Sequence, residues 1–153
     1  MPTRINVQID EDFAGEVEPK VLRAAARAAL AHQSAPAAGE VTIVVTNDRM
    51  LRQLNRRFLK EDRVTDVLSF PSEELDPKTG ARLFGDIIIS FPRAAAQADA
   101  GGHPVSAELQ LLVVHGILHL LGHDHARPAG KARMWAAQSE ILSALKAPIT
   151  GPA

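Results

Sequence analysis

The sequence predicts an α+β fold: a single domain, 1–153, with one small mixed four-stranded sheet packed with about five helices. Three observations lead there. The chain has 153 residues with 46% apolar content, and neither an internal repeat nor a linker divides it, which suits one domain with a real core. Four short segments carry strand chemistry, and one contains Ile87, Ile88 and Ile89 in a row, as a strand covered on both faces does. The strands do not alternate strictly with helices, and the last three elements are all helical.

The elements run in this order. Residues 4–10 alternate, with Ile5, Val7 and Ile9 on one face, and read as a half-buried strand. Pro19 opens an alanine-rich helix that runs to about His32, and 34–39 is a loop. The β-branched stretch 41–46 is a strand. Asn47 or Asp48 caps a helix with Leu51, Leu54 and Phe58 on one stripe. A polar loop leads to a short strand, 66–70, closed by Pro71, and 72–82 is a loop with turn chemistry at 76–80. Residues 84–91 form the isoleucine strand. Pro92 opens a short helix ended by Gly101 and Gly102. A long apolar helix spans 106–121, a last helix spans about 129–146, and the tail 147–153 is expected to fray.

Composition narrows the chemistry. There are no cysteines, so disulfides, thiolate zinc sites and cysteine nucleophiles are excluded, which fits a reducing compartment. The first twelve residues have no apolar core of a signal peptide, and no apolar run approaches the roughly 18 residues of a membrane helix. A cytoplasmic protein with no membrane association is therefore expected. A net charge of −1 gives no overall field toward nucleic acid, so any such attraction comes from a local patch.

The stretch HGILHLLGHDH, 115–125, holds four of the six histidines. His115 and His119 are four apart and lie on one face of a helix, where two imidazoles can reach one ion. Gly122 is suited to the position after the helix end, where a positive φ folds the chain back. His125 can then return to the same ion. The pattern H-x-x-x-H-x-x-G-x-x-H is the ligand spacing of a metzincin zinc site. Three neutral imidazoles with one open position are the ligands of catalytic zinc, so one Zn2+ per chain is expected on His115, His119 and His125. Imidazole suits nickel and cobalt as well. The plainer alternative, core histidines near a helix end, explains one such residue better than three at this spacing.

The rest of this helix is apolar nearly all round, which makes it central and buried. Glu108, two turns before His115, is placed to hydrogen-bond a ligand histidine or to border the pocket. His123 is read as a bystander facing solvent, and His32 and His103 are given no role. Asp124 is a candidate to orient a ligand or to act as a weak base beside water at the ion. In peptidases with this spacing a glutamate follows the first histidine as general base. Here Gly116 stands in that place, so the peptidase reading loses its proton acceptor. Met134 is read as packing inside the last helix, not as a methionine turn.

HGILHLLGHDH resembles the H-G-x-L-H-L-x-G-[YH]-D-H signature of the YbeY family of bacterial rRNA maturation factors. LNRRFL (54–59) running through TDVLSFP (65–71), and GDIIIS (85–90), are similar to that family and in its order, so the resemblance spans about 40–126. It implies a metal-dependent endoribonuclease acting on single-stranded RNA, with roles in forming the 3′ end of small-subunit rRNA and in ribosome quality control. It also implies a zincin-like helix pair with zinc on the three histidines. Association with the small ribosomal subunit and with a GTPase of its assembly would follow. One position departs: many members carry an arginine after the aromatic of the Leu-Asn-x-x-aromatic segment, proposed to act in catalysis, whereas Phe58 is followed here by Leu59. Arg56, Arg57 and Arg63 are the candidates to supply that charge.

Arg49, Arg52, Arg56, Arg57, Lys60 and Arg63 form the densest positive stretch of the chain and are the candidate RNA contacts. Arg49, Arg52 and Arg56 make one stripe opposite Leu51, Leu54 and Phe58. An ordinary solvated helix face is the alternative. With five Phe, one Trp and no Tyr, base-by-base reading through many stacked rings is not expected. Asp66 and Ser69 could line the metal pocket, or Thr65 and Asp66 could shape the start of their strand. Two other readings stand beside the nuclease: a metallopeptidase or amidase using the same site, and a ribosome assembly factor whose zinc is structural.

Overall fold

Strand β1 (Arg4–Ile9) pairs in parallel with β2 (Gly39–Thr46), joined to it through helix α1 (Pro19–His32). This computed structural model describes residues 3–36, 38–59, 65–72, 74–123 and 126–146. Helix α2 (Asp48–Leu54) comes next, then the edge strand β3 (Val67–Pro71) and the central strand β4 (Arg82–Ser90). Helices α3 (Phe91–Gly101), α4 (Val105–Leu120) and α5 (Pro128–Ala144) complete the chain. The sheet order is β1-β2-β4-β3, with β2 and β4 parallel and β3 antiparallel to β4, so the α+β domain with one mixed four-stranded sheet and five helices is what forms. Among the described residues no helix is long and apolar enough to cross a membrane.

The isoleucine run is covered on both faces. Ile87 and Ile89 join the main core with Val41, Ile43 and the inner faces of α1, α4 and α5. Ile88 points the other way, into a small cluster with Leu51 of α2 and Leu68 of β3. Helix α4 is the centre of the main core. From Ala107 to Leu120 all its residues are buried except Gln110 and His119, which are half-buried. Gly116 lets it lie close to the sheet, since a Cβ there would sit 2.8 Å from Ile87 Cγ2. A Cβ on Gly85 would meet Leu120 Cδ2 at 3.0 Å, so α4 runs antiparallel to β4. Gly85 also has φ 135° and passes against the carbonyl of Phe70, which no side chain would allow.

Three local expectations are corrected. Phe91 begins α3 instead of closing the strand, because Ser90 caps that helix by accepting from the Arg93 N–H at 3.3 Å and Pro92 is pre-set for the first turn. Pro71 is the last residue of β3, an edge strand where its missing N–H is tolerated. Helix α2, capped by Asn47 onto the Met50 N–H at 2.9 Å, winds at Asn55–Leu59 into a π-helical turn. The wider winding rotates the residues after Asn55, so Phe58 leaves the apolar stripe and is 56% exposed. A 3-10 turn at Glu11–Phe13 had no signal in the hydrophobic pattern. The tail, 147–153, lies outside the described residues.

Candidate metal centre

Helix α4 carries His115 and His119 one turn apart, with ring centroids 4.7 Å from each other and planes at 69°. That approach arises from the i, i+4 spacing on a helix that packing holds on all sides. His115 is 8% exposed. Its Nδ1 lies 3.1 Å from Oε1 of Gln138, a residue of α5 that is itself buried. A carbonyl oxygen only accepts, so Nδ1–H donates, and in the neutral ring the lone pair is then on Nε2. Two imidazoles on one face, one of them with a fixed donor nitrogen, suit a divalent transition metal.

The helix then ends as its glycine requires. Gly122 has φ 99°; its N–H reaches the His119 carbonyl at 3.0 Å, and the His123 N–H reaches that of Leu118 at 2.9 Å. This pair of bonds is a Schellman motif with glycine at C′. His125 and Asp124, the expected third ligand and its neighbour, lie outside the described residues. Among the described residues no three metal-binding side chains cluster.

Several neighbours hold this corner together. His123 is half-buried and does not face solvent freely: its Nε2–H donates to Gln33 Oε1 at 2.7 Å. The Gln33 amide donates to His32 Nδ1 at 2.9 Å, and His32 Nε2 meets Glu140 Oε2 at 2.7 Å. The turn after α4 is thus tied to the end of α1 and to α5. Burial, then the charges of Arg133 and His32, hold the His123 ring below its ordinary pKa. Glu108 is buried and its carboxylate bonds His103 Nε2 at 2.7 Å. Both residues therefore fasten the turn between α3 and α4, a use that the sequence did not suggest. Met134 is buried in the main core.

Beside the turn lies a pocket of about 450 Å³, lined in part by Gly122, His123, Arg127, Gly130 and Arg133. Its two exposed arginines, at the start of α5, bring positive charge next to His123. Sequence reasoning missed both, along with Gln138. The available signal for Gln138 was a polar residue interrupting the apolar stripe of Met134, Ala137 and Ile141.

The remaining candidates are placed as follows. Asp66 accepts from Gln97 Nε2 at 3.3 Å and its carbonyl accepts from the Ser90 N–H at 2.9 Å, so it shapes the start of β3. Ser69 pairs with Ile87 and shares the sheet face that α4 covers. Arg49, Arg52, Arg56 and Arg57 are exposed on α2 and its π-helical turn. The Arg57 guanidinium lies 5.2 Å from the Phe58 ring, and Phe58 meets Phe70 edge-on at 5.7 Å. This makes an exposed aromatic ring flanked by charge. Leu59, at the family's arginine position, is 51% exposed. Lys60 and Arg63 lie outside the described residues. Asp86, between Thr42 and Phe70 on neighbouring strands, reaches solvent, yet partial burial raises its carboxyl pKa.

Comparison with known proteins finds related sequences and a shared fold. The family described as Endoribonuclease YbeY matches residues 4–146. An Endoribonuclease YbeY of Chloroflexus aurantiacus is 43% identical over 150 residues, covering 94% of this chain and 96% of that protein. One of Moorella thermoacetica is 41% identical over 150 residues, covering 94% and 96%. One of Chloroflexus aggregans is 41% identical over 154 residues, covering 97% and 99%. The solution structure of a Thermotoga maritima protein shares the fold, with a TM-score of 0.58 at 22% identity over 93% of this chain and 91% of that one.

Proposed function

The chain belongs to the YbeY endoribonuclease family, and on that premise we propose that it is a metal-dependent endoribonuclease that cleaves single-stranded RNA. The observation that carries the reading is the His115–His119 pair on a buried helix that ends at Gly122, with His115 anchored on Gln138. His115, His119 and His125 would hold one zinc ion. When bound, the ion supplies Lewis acidity toward a phosphoryl oxygen and makes water more acidic.

The chain's own side chains do the rest. Arg127 and Arg133 border the pocket beside His123 and would bind phosphate oxygens of an RNA strand that passes there. Arg49, Arg56 and Arg57 would track the RNA backbone, and Phe58 offers one face for a base to stack on. Leu59 cannot supply the charge that many relatives have there; Arg56, Arg57 and Arg63 are the residues proposed to do so. Asp124 is proposed to orient a ligand or take a proton. By resemblance, the RNA is rRNA, the step is maturation of the small-subunit 3′ end and ribosome quality control, and the partners are the small subunit and an assembly GTPase, in the cytoplasm.

The packing of Gly116 against Ile87 weighs against the peptidase alternative, because a glutamate there would have to displace a core side chain. The test is the His115→Ala variant assayed on single-stranded RNA. Cleavage should vanish while circular dichroism and the melting transition stay those of a folded protein. Undiminished cleavage by that variant would overturn the proposal.

A further inference from the structure

We infer that Gln138 is a positioning residue that fixes the tautomer of His115 and so decides which ring nitrogen faces the metal; this rests on the metal reading above. A neutral imidazole carries one proton, on Nδ1 or on Nε2. In water the two forms interchange freely, and only the form with a bare Nε2 can bind an ion through that atom. His115 is 8% exposed, so solvent does not choose. Gln138 Oε1, 3.1 Å from Nδ1, chooses instead: it can only accept, so the proton is kept on Nδ1.

Gln138 is well placed to hold that choice. It is 5% exposed, midway along α5, with Met134, Ala137 and Ile141 buried around it. Its backbone is therefore fixed by the same core that fixes α4. Turned the other way, its amide would donate to Nδ1, put the proton on Nε2 and block ligation. An amide acceptor makes this bond without adding a negative charge beside the site, while a carboxylate in its place could make the same bond.

The test compares the full-length wild type with Gln138→Glu and Gln138→Met. Nitrogen-15 spectra of the metal-free proteins, in alkaline buffer where the rings are neutral, read the tautomer of His115. Competition with a chromophoric chelator reads zinc affinity. The wild type should show the proton on Nδ1. Gln138→Met should mix the tautomers and weaken zinc about 10- to 100-fold, and Gln138→Glu should restore both. A wild-type His115 protonated on Nε2, or a folded Gln138→Met protein with unchanged tautomer and zinc affinity, overturns the inference. If Gln138→Met fails to fold, the wild-type tautomer and the Gln138→Glu affinity decide. Absence of zinc binding by the wild type would count against the metal reading, whereas the tautomer, read without metal, still decides the part of Gln138.

Discussion

Gly116 shows how much one absent side chain settles. In the sequence a peptidase's base is missing there; in the fold the position has no room for one. A Cβ would come within 2.8–3.0 Å of three Ile87 carbons. Gly116→Glu should therefore cost about 1–3 kcal/mol or more of stability by overpacking, read from urea unfolding, and should create no peptidase activity. A variant as stable as wild type that cleaves peptides in the presence of zinc would contradict this. His115, His119 and Gly122 were legible because their signal lies in spacing along one helix. Gln138 was not, because its partner is 23 positions away and only the packing of α5 on α4 brings them together.

At the scale of elements, the long apolar helix and the isoleucine strand stood out because burial on every side leaves an unmistakable composition. Boundaries did not: Ser90 and Pro92 override the apolar pattern at the end of β4, and nothing in the periodicity of 48–59 encodes a switch to π winding. That switch exposes Phe58 beside Arg57 at the end of the basic stripe. If this element binds RNA phosphates, the Arg56→Ala, Arg57→Ala double variant should bind single-stranded RNA more weakly. Its plot of log affinity against log salt should also be shallower by about 0.7 for each phosphate that no longer pairs with an arginine. Equal slopes for wild type and variant, measured by fluorescence anisotropy, would mean that the stripe is only a solvated face.

For the whole molecule, the fold class could be read because composition and element order limit how one sheet and five helices can be layered. The assembly of the site could not. The end of α4, the end of α1 and helix α5 meet at one corner, joined by His123, Gln33, His32 and Glu140. Arg127 and Arg133 reach the same corner from α5. The most direct test of a metal-dependent ribonuclease on His115, His119 and His125 is to strip the protein with a chelator, return measured amounts of zinc, and monitor cleavage of single-stranded RNA. Stripped protein should be inactive, and activity should return in step with zinc up to one ion per chain. Full cleavage by the stripped protein, or zinc uptake with no cleavage at any loading, would contradict it.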